Sequence, residues 1–187
     1  MRNKIYVALV HYPVYNKEGR VVETSVTNLD IHDISRSCRT YNVKEYFLIV
    51  PSPAQQMLTK RIISHWTQGV GEAYNPDRAQ AFSRTECVDT LDDAVSKITE
   101  IEGEKPLIIT TSAKKGEGVS TYSEISDVIF NNEKPIFILF GTGWGLVEQV
   151  MERSDYVLEP IRGNAEFNHL SVRSAVAIIL DRLLGEK

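Results

Sequence analysis

The gathering of apolar residues into short unbroken runs constrains this chain most. KIYVALV (4–10), EYFLIV (45–50), TECVD (85–89), PLIITT (106–111), PIFILF (135–140) and DYVLE (155–159) are strand-length segments bounded by proline, glycine or charge. Most are apolar without alternation, which is how strands buried on both faces of a parallel sheet read. Helical stretches separate them, near 30–41, 54–68, 91–101, 121–132, 145–153 and 168–185. The last is the clearest, with Val172, Ala175, Val176, Ile179 and Leu183 forming one apolar stripe at helical spacing. Gly185 follows where a C-cap glycine belongs. The rhythm predicts an α/β fold, a mostly parallel sheet flanked by helices, in a single domain over 1–187. Sites in such sheets lie beyond the carboxyl ends of the strands, so the loops 51–54, 111–120, 140–146 and 159–170 are the ones to inspect. The polar, turn-rich stretch PVYNKEGRVVETSVTN (13–28) reads as an excursion before the first helix, a flap or a partner contact.

Composition narrows the function classes. A hydrophobic content of 42% and a charged content of 25% over 187 residues are those of an ordinary globular protein. No apolar run approaches the ~18–20 residues of a membrane span, and a cytoplasmic location is expected. Cys38 and Cys87 lie far apart, without a CxxC pattern, and read as buried thiols. His11, His32, His65 and His169 show no paired ligand spacing, so no metal site is expected. The net charge of −4 disfavours an unassisted, sequence-independent grip on nucleic acid, while leaving room for a local basic patch.

The run PIFILF empties into Gly141, Gly143 and Gly145. A dinucleotide fingerprint requires GxGxxG, but Leu146 stands in the third glycine's place. The loop also follows the fifth of six predicted strands rather than the first. Glu159, ending the next strand, is where an acidic partner for a ribose would sit. No lysine follows these glycines, which removes a P-loop. A turn eased by glycines between strand and helix accounts for the loop taken alone.

Downstream, DYVLEPIRGNAEFNHLSVRSAVAIILDRLLG (155–185) is a strand, a polar loop and an abrupt start to an apolar helix. With the glycine loop it resembles the carboxyl-terminal signature of the SPOUT, or α/β-knot, class of S-adenosylmethionine-dependent RNA methyltransferases. Glu159-Pro160-Ile161-Arg162-Gly163 and Leu170-Ser171-Val172 carry the match. The stretch TNLDIHDISRSCRTYNVKEYFLIVP (27–51) is similar to the first motif of that class, with Asn28 and Arg36 in its asparagine and arginine places. His32 and Asp33 stand where that pattern has small residues.

The resemblance implies a carboxyl-terminal deep trefoil knot, S-adenosylmethionine as cofactor, a homodimer, and an RNA substrate, tRNA or rRNA. Methylation falls on a base nitrogen or a ribose 2′-oxygen, and short forms of this kind are similar to tRNA (guanine-N1)-methyltransferases. It implies that Thr111, Ser112, Gly141, Thr142, Gly143, Pro160, Ile161, Gly163, Asn168, Leu170 and Val172 hold the cofactor. Arg36 becomes the catalytic candidate, and Arg36, Lys114, Lys115 and Arg162 the RNA contacts. Arg173 is a further candidate for phosphate, and Glu148 and Asp155 are candidate bases or surface carboxylates. His169 reads as a polar residue packing its loop, and Trp144 and Trp66 as stacking surfaces or core. Two other readings stand beside the methyltransferase: a non-catalytic knotted binding module, and an NAD-dependent oxidoreductase.

Overall fold

The computed structural model describes residues 4–114, 116, 118–165 and 167–186. In chain order the elements are β1 (Ile5–Val10), β2 (Val14–Tyr15), β3 (Val21–Val22), α1 (Asn28–Thr40), β4 (Glu45–Ile49), α2 (Pro53–Thr67), α3 (Val70–Tyr74) and α4 (Pro76–Phe82). There follow β5 (Thr85–Val88), α5 (Leu91–Glu102), β6 (Leu107–Thr111), α6 (Tyr122–Asn131), β7 (Ile136–Gly141), α7 (Glu148–Met151), β8 (Tyr156–Leu158) and α8 (Val172–Leu184).

All six expected strands form, and they join one six-stranded sheet of order β5-β4-β1-β7-β6-β8. Every pairing in it is parallel. β1 lies in the middle, and its six residues are all buried, as an unbroken apolar run requires. The side-chain alternation divides it between two cores. Ile5, Val7 and Leu9 pack with α1, α4, α6 and α8 on one face, while Tyr6, Ala8 and Val10 pack with α5 and α7 on the other. Each such side chain contributes roughly 1.5–3 kcal/mol by leaving water, so a charge in β1 would disrupt both layers.

The chain winds outward from β1 through β4 to β5, then crosses back to β6 and fills in β7 beside β1. That reversal puts the switch point between β1 and β7, the place where an open α/β sheet leaves a crevice at its carboxyl edge.

The helices follow their caps. Thr27 accepts the Asp30 amide to start α1, and complete capping boxes start α5 at Thr90 and α6 at Thr121. Ser171 accepts the Ser174 amide, so α8 begins at Val172 and residues 168–171, expected as helix, are loop. Gly185 does close α8, donating to the Asp181 carbonyl at 2.8 Å from an extended backbone. Cys38 and Cys87 are buried free thiols, both pushed up by burial, Cys87 to about 11.

Residues 13–28 leave the sheet as a hairpin whose tip, residues 17–21, is exposed. β2 and β3 form a hairpin tightened by Asn16, whose side-chain oxygen accepts the amides of Glu18 and Arg20. The hairpin docks on the glycine loop: Val14 bridges Leu146, the Tyr15 amide donates to the Gly145 carbonyl, and the Trp144 amide donates to the Tyr15 carbonyl at 2.8 Å.

Candidate active site

At the carboxyl edge of β6 and β7 a cavity of about 670 Å³ opens. Four segments wall it. They are Thr24, Ser25 and Asp30 around the start of α1, residues 111–114 after β6, residues 140–145 at the end of β7, and Ile161 with 168–173, Ala175 and Ile179 leading into α8.

The glycine loop owes its shape to two close approaches. Gly143 has φ +58, and a Cβ there would lie 2.7 Å from the Tyr15 carbonyl oxygen. A Cβ on Gly141 would lie 2.8 Å from the Leu146 amide nitrogen. The glycines thus let β7 turn sharply under the hairpin and leave main-chain groups lining the cavity.

Behind this loop runs a chain of hydroxyls. Thr142 donates to the Val10 carbonyl at 2.9 Å, and Thr24 lies 2.5 Å from Thr142. Thr24 also meets His11 twice, its hydroxyl lying 3.0 Å from Nδ1 and donating to the His11 carbonyl at 3.5 Å. His11 Nε2 is buried and without a hydrogen-bond partner among the described residues. Burial pushes His11 down to about 4, so the ring is neutral at ordinary pH.

Asp30 is the one carboxylate among the described residues lining the cavity. Its side chain is 7% exposed; one oxygen takes the Thr27 hydroxyl at 2.6 Å and the other takes Arg173 at 3.2 Å. Arg173 also reaches Asp33 at 3.3 Å, tying the first turn of α8 to α1.

Nine of the eleven expected cofactor residues meet in this cavity: Thr111, Ser112, Gly141, Thr142, Gly143, Ile161, Asn168, Leu170 and Val172. Pro160 is buried and Gly163 exposed, and neither lines it. Lys114 is on the rim, Arg162 is exposed outside it, and Lys115 lies outside the described residues. Arg36 is exposed on α1 and does not line the cavity.

Other candidates have structural partners. Arg173 is held by two aspartates. Asp155 accepts the Ile108 amide at 2.7 Å and Glu159 accepts the Tyr122 amide at 3.0 Å, where it caps α6 rather than a ribose. Glu148 is exposed at the start of α7, outside the cavity. His32 meets Trp66 and Phe82 edge-on at 5.5 and 4.8 Å, and Arg78 covers the Trp66 ring, so that tryptophan is packing between α1, α2 and α4.

Thr24, Ser25 and Asp30 escaped the sequence reading, while Ser171 lies within the expected 168–172 entry and does line the cavity. The Thr27-x-x-Asp30 capping spacing was a visible sign of where α1 starts, but nothing local shows that this start faces the cavity. Among the described residues no group of three or more His, Cys, Asp or Glu side chains is arranged to hold a metal ion, and no helix is long and apolar enough to cross a membrane.

A parallel sheet whose glycine loop lines a cavity at its carboxyl edge defines an α/β protein with a ligand-sized site, and comparison with known proteins makes the class specific. A family model described as SAM-dependent RNA methyltransferase matches residues 4–185, and the chain belongs to that family. A tRNA (guanine-N(1)-)-methyltransferase of Oleidesulfovibrio alaskensis is 44% identical over 182 residues, covering 97% of this chain. This chain spans only 42% of that relative's length. An uncharacterized protein of Aquifex aeolicus is 38% identical over 185 residues, covering 99% of this chain and 90% of its own. Among solved structures, the TrmH/SpoU tRNA modifying enzyme of Aquifex aeolicus shares the fold, with a TM-score of 0.60 at 18% identity over 98% of this chain and 75% of that one. The family model thus places the chain, and the solved structures share its fold.

The cofactor of that family, S-adenosylmethionine, supplies an electrophilic methyl group when bound. The residues present suit it. Phe140, Ile161, Leu170, Val172 and Ile179 offer apolar cover for a base, and the main chain of 141–145 with Ser112 and Asn168 offers polar edges.

Proposed function

We propose that this chain methylates RNA, with tRNA as the substrate class, at a base nitrogen or a ribose 2′-oxygen. The observation that carries the reading is the convergence of the 140–145 loop, Ile161 and residues 168–173 on one cavity at the carboxyl edge of the sheet. The name of the Oleidesulfovibrio relative favours tRNA and guanine N1.

Transfer breaks the bond from sulfur to the methyl carbon, forms a bond from that carbon to the acceptor, and requires an acceptor N–H or O–H to lose its proton. Asp30 is the group assigned to receive that proton, since it is an acceptor-only carboxylate on the cavity wall. Arg173 and Thr27 hold its orientation. The main-chain loop aligns cofactor and acceptor, which in a displacement of this kind supplies much of the rate.

Lys114 on the rim of the pocket, and Arg36 and Arg162 outside it, all exposed, are assigned to RNA phosphate. A trefoil knot formed by the segment ahead of α8, and a homodimer, complete the proposal. α8 packing on both α1 and α6 is consistent with such a threaded segment.

Calorimetric titration with S-adenosylmethionine and, separately, with NAD tests the reading. Micromolar binding of the former alone is expected, weakened about tenfold in Leu170→Ala, as for loss of one apolar wall residue. Labelled methyl transfer to a tRNA pool, lost in Asp30→Asn while S-adenosylmethionine still binds, supports the role of Asp30. Binding without transfer to any RNA would favour the non-catalytic module, and binding of NAD alone would overturn the family chemistry for this chain.

A further inference from the structure

Trp144 is held at the cavity mouth in a way that core packing does not explain. It is 51% exposed, lines the cavity, and stands between two glycines with positive φ, Gly143 at +58 and Gly145 at +104. Its amide is bonded to the Tyr15 carbonyl at 2.8 Å, and the Tyr15 amide is bonded back to the Gly145 carbonyl at 2.9 Å. The hairpin therefore clamps the backbone on both sides of an indole that faces solvent. Trp66, the other tryptophan of the chain, is by contrast covered by Arg78, His32 and Phe82.

The same mouth carries Leu170, 42% exposed, and the exposed Lys114 and His169. A rigid aromatic face, an apolar partner and a cation around one opening are what a splayed-out nucleobase with its phosphate requires.

We propose that Trp144 is the stacking platform for the unpaired base of the RNA that enters the site, with Lys114 holding an adjacent phosphate. This rests on the RNA methyltransferase reading and deepens it by naming the element that captures the acceptor. The occupant is a nucleobase rather than a protein surface because the indole opens onto the cavity in which the acceptor must meet the methyl group, and because the lip beside it is cationic on a chain whose net charge is −4.

The test uses Trp66→Phe, in which Trp144 is the sole tryptophan, titrated with a guanine-containing single-stranded RNA nonamer in the presence of S-adenosylmethionine. Saturable quenching of Trp144 fluorescence is expected. Trp144→Ala should raise the Kd for the nonamer about 10-fold, and Trp144→Phe should restore most of the affinity, since stacking needs a ring rather than an indole. Where Trp66→Phe does not fold, the difference between the wild-type signal and that of Trp144→Phe isolates the same reporter. The Tm of Trp144→Ala, measured in parallel, should stay within a few degrees of wild type, which separates loss of the base platform from collapse of the fold. RNA affinity unchanged in Trp144→Ala, or unquenched fluorescence at saturation, overturns the inference while leaving the methyltransferase reading intact. An effect of Trp144→Ala seen only as a change of self-association in sedimentation also overturns it. A wild-type chain that binds no S-adenosylmethionine removes both.

Discussion

His11 shows how one buried ring can set the acid limit of a fold. Its folded pKa of about 4 lies below the 6.5 of an unperturbed histidine, so the unfolded chain takes up the proton first. The stability gained from keeping the ring neutral is complete above about pH 6.5 and is lost as pH falls toward 4, on the order of 3 kcal/mol in all. Urea midpoints measured between pH 7 and 4.5 should therefore fall more steeply in wild type than in His11→Asn, which keeps a polar group toward Thr24 without titrating in that range. Parallel curves would refute the assignment. The glycines allow a second comparison at this scale. Gly145→Ala meets open space and bears only the strain of φ +104, about 1–2 kcal/mol. Gly143→Ala adds to its own strain a Cβ 2.7 Å from the Tyr15 oxygen, so it should lower Tm by clearly more than Gly145→Ala, which itself should lower Tm by a few degrees.

Between elements, the joint that matters is the first turn of α8 against the first turns of α1. Asp30 and Arg173 face each other there with side chains 7% and 30% exposed, and Asp33 extends the contact. A double-mutant cycle with Asp30→Asn and Arg173→Met should return a coupling of about 1–2 kcal/mol, and a value near zero would mean that α8 is placed by its apolar face alone. That apolar face was legible in the sequence, but its division of labour was not. Val176 and Leu183 enter the core, Val172 and Ala175 in the same stripe face the cavity, and buried Ile179 touches both. Periodicity reports an apolar neighbour and does not say whether that neighbour is protein or ligand. Among the described residues, the six sheet strands and six of the eight helices were readable because each falls in an apolar or amphipathic run. The β2–β3 hairpin has strands of two residues, too short for any period. α4 was overlooked although Asn75-Pro76 spells its cap, the Asn75 side chain accepting the Arg78 amide. The pocket was legible where one motif runs along the chain, at 141–143 and 168–172, and illegible at Thr24 and Asp30, which reach it through the tertiary docking of the hairpin and α1.

For the whole molecule, charge and topology set the terms of RNA binding. With 21 Lys and Arg set against 25 Asp and Glu, the chain has no overall basic field, so the log–log dependence of RNA affinity on salt should be shallow. Lys114→Ala and Arg162→Ala should each flatten it by about 0.7 if both touch phosphate, and an unchanged slope would remove the residue from the interface. The cavity is walled by residues as far apart as Thr24 and Ile179. Walls drawn from such distant segments meet only once the sheet has formed between them, so the cavity is an attribute of the folded molecule rather than of any one segment. Proteolytic removal of α8 should therefore abolish the S-adenosylmethionine binding proposed for the cavity before it dismantles the sheet, with calorimetry reading the first and circular dichroism the second.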